Sequence, residues 1–187
     1  RTLDRALAQN RVTILTAQRG RAAQMNAGAE IATGDVLLFL HADVFLPRDA
    51  TRFIAATLSD PAVVCCAFQT WTVPDRHRTW LRPFLHLADL RSRYSRLPYG
   101  DQAMFIRAAV FRELGGFPEQ PLFEDLELSR RLRRFGKVRI VPTSVRVSGR
   151  RFLDRPVYYT FLVNVLPLLY RFGVPPQRLA SLYGNPR

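Results

Sequence analysis

DVLLFL, at residues 35–40, is an almost unbroken apolar run, and HAD follows it directly at residues 41–43. A short apolar run of this kind is typical of a strand that is buried on both faces of a parallel sheet. In open α/β sheets, ligands bind in the crevice outside the carboxyl ends of the strands. The stretch therefore predicts a buried strand whose end places His41 and Asp43 at a ligand-binding edge.

The segments around this strand alternate between strand and helix patterns, which argues for an α/β sheet flanked by helices. Further strands are predicted at residues 11–17, 62–70, 103–106 and 138–141. Helices are predicted at residues 2–9, 21–32, 47–58, 83–96, 108–114 and 124–135, and as a pair within residues 155–183. No repeat or linker interrupts the pattern, so residues 1–187 are expected to form one domain, with an α/β core at 1–150 and a helical tail at 151–187.

The charge of the chain leaves two other classes of protein open. The net charge is +13, and a basic surface attracts phosphates, nucleic acid or anionic membrane. Arginine-rich stretches at residues 77–96 and 130–134 would suit a nucleic-acid-binding module, and the tail helices would suit a catalytically inactive membrane-surface protein. The nucleic-acid interpretation does not explain carboxylates at strand and helix ends, so nucleic acid is not expected as a partner.

Cysteine content and apolar patterning bear on the compartment. Cys65 and Cys66 are adjacent in a predicted strand, where neighbouring side chains point to opposite faces, so no disulfide is expected between them. Such thiols suit a reducing cytoplasm. Residues 156–170 carry no formal charge but are shorter than the roughly 20 residues that a membrane-spanning helix needs. A buried or interfacial helix is expected there, and the inner face of the cell membrane is the alternative location.

Two acidic positions are candidates for chemistry, and each has a structural alternative. Asp43 follows a strand, where a carboxylate can hold a divalent cation that neutralises a diphosphate, or can simply cap the next turn. Asp125 lies on the apolar stripe of a helix, three residues before Leu128. It could accept a proton there, or serve helix stability, because acids favour first turns. Glu127 is expected to face solvent.

Weaker candidates lie before the strand at residues 35–40 and after residue 98. Gly20 and Arg21 open a helix that follows a strand, a plausible phosphate contact shared with Asn26. Arg21 can equally be one solvent-facing arginine among many. Asp101 follows Tyr99 and Gly100 and reads as a turn carboxylate.

Two separated motifs together resemble the family 2 glycosyltransferases of the GT-A type. GRAAQMNAGAEIATGDVLLFLHADVFLP, at residues 20–47, is similar to the family segment that leads into the DxD metal motif. FRELGGFPEQPLFEDLELSRRLRRFG, at residues 111–136, is similar to the segment with GGF and the ED pair. HAD, YGDQ (residues 99–102) and SGRRF (residues 148–152) look similar to a bacterial subgroup associated with arsenosugar biosynthesis.

The resemblance implies an inverting enzyme with a GT-A (Rossmann-like), mostly parallel sheet flanked by helices and followed by a helical tail. It would transfer a sugar from a nucleotide-diphosphate sugar to a hydroxyl of a small or lipid-linked acceptor, and peripheral membrane association is a further expectation. Asp125 would be the catalytic base, and Asp43 would hold Mn²⁺ or Mg²⁺. The implied donor-binding residues are Gly20, Arg21, Asn26, His41 and Asp43, and the implied acceptor-binding residues are Asp101, Gln102 and Glu124.

The sequence departs from the family pattern in three places. His41 replaces the first DxD aspartate, so metal ligation would depend on Asp43. Residues 148–151 (SGRR) lack the late histidine ligand of many relatives. The family's first strand and its acidic base-binding loop are expected before Arg1, on about 40 to 60 further residues.

Overall fold

The structure, a computed structural model, describes residues 12–74, 82–95, 97–152 and 155–183. The predicted helix at residues 2–9 lies outside this range. Five strands are described: β1 (Val36–Phe39), β2 (Val44–Phe45), β3 (Val63–Val73), β4 (Met104–Arg107) and β5 (Lys137–Ser148). Seven α-helices accompany them: α1 (Arg21–Ile31), α2 (Ala50–Leu58), α3 (Arg82–Tyr94), α4 (Ala108–Glu113), α5 (Glu124–Leu132), α6 (Pro156–Arg171) and α7 (Pro176–Tyr183). Short 3₁₀ turns occupy Gly100–Gln102 and Gly149–Phe152.

The strands form one mixed sheet in the order β1-β4-β3-β5-β2. β3 and β5 pair in parallel, whereas β1 with β4, β3 with β4, and β2 with β5 pair antiparallel. The α/β fold class is confirmed, but the expectation of a mostly parallel sheet is wrong for the described strands. An apolar run indicates how deeply a strand is buried, and it carries no information about the direction of the neighbouring strand.

β1 corrects the expectation of burial on both faces. Leu37 and Phe39 are buried, whereas Leu38 and Leu40 are exposed. β1 is an edge strand of the described sheet, and among the described strands it pairs only with β4. Its outer face therefore lacks the second helix layer that covers a central parallel strand.

The predicted strand at residues 11–17 is also wrong where it is described. Residues 12–17 form no strand, and Val12, Ile14 and Leu15 are exposed. Residues rich in β-branched side chains become a strand only when their backbone finds a hydrogen-bonding neighbour and their side chains find a covered face. None of the five described strands pairs with this segment.

Helices cover both faces of the sheet. One core lies under α1, α4 and α5 and includes Cys65, Ile106 and Leu128. The other lies under α2 and includes Cys66 and Phe68. The two cysteines thus point to opposite faces as predicted, both are free thiols, and burial raises the pKa of each, to about 12 for Cys66.

The tail consists of two helices, as predicted, and α6 begins with Pro156 at its first position. A third hydrophobic core joins α6 and α7 to the loop before α5. It includes Leu122, Phe123, Leu166 and Leu179. Within the described ranges, no helix has both the length and the apolar character needed to cross a membrane. The shared core places the tail over the end of the sheet from which residues 99–102 and 122–125 extend.

Candidate active site

A cavity of about 650 Å³ opens at this end of the molecule. Its polar wall includes Arg21, His41, Asp43, Asp101, Asp125 and Arg150. Its apolar wall comes from the loop before α5 and from α6, with Leu122, Phe123, Leu162, Leu166 and Pro167. Asp43 and Asp125 are 82 positions apart in the sequence, and the fold brings both to one cavity.

Asp43 lies in the turn between β1 and β2, and its side chain is half-buried. The turn is closed by the N–H of Val44, which donates to the carbonyl of His41 at 3.1 Å. The N–H of Ser148, at the end of β5, donates to the carbonyl of Asp43 at 3.0 Å. The position of Asp43 at the cavity is therefore fixed through its backbone by the neighbouring strand.

Asp125, in the first turn of α5, is held through its side chain. The N–H of Gly100 donates to Oδ2 at 2.6 Å, and the N–H of Leu126 donates to Oδ1 at 2.7 Å. The residue is only 7 % exposed. Two backbone donors orient the carboxylate, and each oxygen keeps a second lone pair that can accept a further proton donor.

Gly100 brings His41 and Asp125 to the same point. A Cβ on Gly100 would lie 2.7 Å from His41 Nε2 and 3.1 Å from Asp125 Oδ2. Real Cβ atoms do not occur at the shorter distance. The imidazole of His41 can therefore lie this close to the backbone of residue 100 only because that residue is a glycine. Gly100 was not among the predicted site residues, although its place between Tyr99 and Asp101 was the available signal.

Arg21 and Glu124 form an ion pair behind Asp125. Arg21 Nε lies 2.8 Å from Glu124 Oε1, and Nη2 donates to Oε2 at 3.1 Å. Glu124 is 1 % exposed, and this burial, together with the adjacent Asp125 carboxylate, raises the pKa of Glu124. Burial alone would lower the pKa of Arg21, but the Glu124 and Asp125 carboxylates outweigh it, so the pKa of Arg21 is raised.

Strained backbone flanks the same residues. Phe123, directly before α5, has φ 65°, and Ala103, directly after the turn at Gly100–Gln102, has φ 50°. These are the non-glycine residues with left-handed φ among those the structure describes. Such strain costs about 1–3 kcal/mol per residue and clusters at functional sites. Here it sets the direction in which α5 and the Gly100 turn enter the cavity.

Four predicted site residues stand behind or beside the cavity wall. Gln102 is fully buried, where its Nε2 donates to the Phe68 carbonyl at 2.8 Å and its Oε1 accepts from the Tyr99 N–H at 2.9 Å. Asn26 holds the backbone of Phe117 through two hydrogen bonds of 2.9 and 2.8 Å. Gly20 precedes α1 with φ 143°, and Glu124 is the partner of Arg21.

The expectation that Glu127 faces solvent is wrong. Glu127 is 8 % exposed. Arg130 and Arg131 donate to its carboxylate at 2.8 to 2.9 Å. The hydrogen bond from Arg130, followed by that from Arg131, lowers the pKa of Glu127 to about 2. The helical pattern placed Glu127 off the inward stripe, but the tail helix α6 covers that side through Tyr170.

The residues at the cavity fit a cation that is shared with a ligand. Among the described residues, no group of three or more His, Cys, Asp or Glu side chains could hold a metal ion. Asp43 and His41 nevertheless line one cavity, and Mg²⁺ is commonly held by one or two carboxylates together with the phosphates of a substrate. The donor set therefore suits a metal bound jointly with a diphosphate, and does not enclose one by itself.

A mixed sheet with helices on both faces, a helical tail and carboxylates meeting at one end agree with the expected GT-A type of α/β domain. Residues 4–115 match the model of glycosyl transferase family 2, and the chain belongs to that family. The mannosyltransferase PcManGT from Pyrobaculum calidifontis, solved in complex with GDP-Man and Mn²⁺, has a similar fold, with a TM-score of 0.54 and 18 % sequence identity. The similarity covers 88 % of this chain and 48 % of the mannosyltransferase, so this chain spans about half the length of that protein. No curated protein sequence matches the chain.

Proposed function

We propose that the protein is an inverting glycosyltransferase that uses a nucleotide-diphosphate sugar as donor and a hydroxyl group as acceptor. The observation that carries the proposal is the shared cavity of Asp43 and Asp125, because the chemistry needs one group for the departing diphosphate and another for the acceptor proton. Membership of glycosyl transferase family 2 supports the reaction class. The narrower similarity to the arsenosugar-associated subgroup stays a prediction.

In the proposed reaction, Asp125 is the general base. The acceptor oxygen forms a bond to the anomeric carbon while the bond from that carbon to the diphosphate oxygen breaks, and the electron pair leaves with the diphosphate. The acceptor proton moves to the Asp125 carboxylate. The two backbone N–H groups that orient this carboxylate support the role, since a base must be positioned before it can act.

On the donor side, Asp43 is the proposed ligand of Mn²⁺ or Mg²⁺, with His41 beside it in the cavity wall. A cation held there would supply positive charge against the diphosphate. Arg150 lines the same cavity and is the proposed additional contact for phosphate oxygens. Arg21, predicted as a direct donor contact, acts in this proposal through its ion pair with Glu124.

On the acceptor side, Asp101 is the proposed contact, since it lines the cavity. Gln102 and Glu124 are proposed to position the Gly100 turn and Arg21, because their own polar atoms already bind protein groups. Gly20 and Asn26 keep their donor-side assignment as predictions. The acceptor is proposed to be a small molecule or a lipid-linked one, in keeping with the apolar wall of the cavity.

Asp125→Asn tests the base assignment. We expect turnover to fall about 10²- to 10⁴-fold, the usual contribution of a general base, while donor affinity measured by calorimetry changes little. Asp49→Asn, an exposed aspartate before α2, is the matched control and should leave both unchanged. Turnover near the wild-type level for Asp125→Asn would show that another group takes the proton.

A further inference from the structure

α6 presents two different apolar faces. Leu162, Leu166 and Pro167 are buried and form part of the cavity wall. The opposite side carries Val157 at 63 % exposure, Phe161 at 60 %, Leu168 at 53 % and, just after the helix, Phe172 at 83 %. We call these four residues the tail stripe.

The tail stripe follows one face of the helix in two pairs, Val157 with Phe161 and Leu168 with Phe172, with the partly buried Asn164 between the pairs. With each residue turning the helix by 100°, the four positions fall within an arc of about 60° over four turns. Single exposed apolar side chains are normal on a protein surface, but several large ones grouped on one helix face mark a binding surface. The stripe is therefore a candidate contact for an apolar partner.

The charges around the stripe select the chemistry of that partner. Residues 155–183 contain three arginines and no aspartate or glutamate. Arg155 and Arg171 are exposed at the two ends of α6, and Arg178 is exposed on α7. A second copy of the chain would bring the same basic surface and a net charge of +13 against it, which repulsion opposes.

We propose that the tail stripe docks the protein on an anionic lipid surface, with α6 lying in the plane of the interface. An interfacial helix buries large apolar side chains among the acyl chains while arginines at its edges bind lipid phosphates. The docking does not depend on glycosyl transfer. Combined with the proposed function, on which this clause rests, it would hold the cavity wall formed by α6 about one helix diameter from the bilayer and favour a lipid-linked acceptor.

Phe161→Ser with Phe172→Ser tests the docking. The full chain is sedimented with vesicles of phosphatidylcholine alone and with vesicles that also contain phosphatidylglycerol. The wild-type chain should bind the anionic vesicles, and the double variant should bind them at least about tenfold more weakly, since two large apolar side chains no longer insert. Phe45→Ser, an equally exposed phenylalanine on β2 at 63 %, should bind like the wild type.

A second set of variants measures how much the arginines contribute to binding of anionic lipid. Arg155→Gln with Arg171→Gln should weaken binding to anionic vesicles about tenfold and bring it close to the level on phosphatidylcholine. Arg133→Gln with Arg134→Gln, exposed arginines after α5, removes the same charge away from the stripe and should weaken binding less. Thermal unfolding of every variant checks that the fold is kept.

Three outcomes would overturn the proposal. The first is failure of the wild-type chain to bind anionic vesicles, and the second is equal loss of binding in the stripe variant and in Phe45→Ser. The third is a dimer, seen by light scattering, that the stripe variant dissociates, which would assign the stripe to self-association. A stripe variant that binds no vesicles but keeps turnover on a soluble acceptor would support docking and leave the proposed function intact.

Discussion

Asp43 lies in the turn between β1 and β2 with its side chain half-buried, whereas Asp125 opens α5 with a side chain that is 7 % exposed. A hydrogen bond from β5 reaches Asp43 through its backbone carbonyl. Asp125 receives two N–H groups on the carboxylate itself. Both carboxylates line one cavity, but within the described ranges the hydrogen bonds that hold one of these two charged groups are those on Asp125.

The difference fits the two proposed roles. A base works best when its carboxylate is already oriented, because positioning before the reaction removes an entropic cost from the transition state. A metal ligand can be completed by the ligand that it serves, because the cation and the phosphates supply the remaining contacts. The α5 side of the cavity is thus preorganised, and in the proposed reaction the donor would complete the site at the β1–β2 turn.

Apart from Asp125→Asn itself, the largest expected effect comes from Gly100→Ala. The added Cβ would lie 2.7 Å from His41 Nε2 and 3.1 Å from Asp125 Oδ2, so both side chains must move. A misplacement of about 1 Å can cost about 100-fold in turnover. Because the imidazole must shift and the base must give by a few tenths of an ångström, we expect a loss of up to about 100-fold, with donor affinity reduced less. Gly28→Ala, where nothing lies within 4 Å of the new Cβ, should keep turnover. Equal turnover in the two variants would show that the close approach is not needed.

The next effect concerns the ion pair behind Asp125. Arg21→Gln leaves Glu124 buried beside Asp125 without its cation, and we expect a loss of about 2 kcal/mol in the free energy of unfolding, less than for a fully buried pair because Arg21 is partly exposed. Glu124→Gln removes the group whose pKa is already raised by burial, so it should cost about 1 kcal/mol. Urea unfolding of both variants measures the difference. A larger loss for Glu124→Gln would contradict this account of the pair.

The smallest effect is expected at the turn. Asp43→Ala should leave the free energy of unfolding nearly unchanged, because the half-buried side chain is held through its backbone. It should weaken donor binding about tenfold in the presence of Mn²⁺, and much less in its absence. Calorimetry with and without Mn²⁺ measures both, and Asp49→Ala is the control. The same affinity loss without metal would assign Asp43 to direct contact with the donor.

The sequence predicted the described helices and the positions of β3 and β4 well, because an amphipathic helix or a buried strand is encoded by side chains a few positions apart. It predicted β5 only at residues 138–141, whereas the strand spans Lys137–Ser148, and it missed the short β2. α1, α2, α5 and the two tail helices match their patterns closely. It failed at residues 12–17 and in strand direction, because both depend on which distant backbone lies alongside. A local pattern contains no record of that neighbour.

The sequence by itself determined the order of helices and central strands, and the candidacy of Asp43 and Asp125 from their places at the ends of a strand and of an apolar helix face. Only the tertiary structure decided that Gly100 holds Asp125 from 25 positions away and that Arg21 pairs with Glu124 across 103 positions. It also decided that Glu127 is covered by α6. The reason is physical: local spacing fixes which face a side chain occupies, but the packing of remote segments decides what meets it.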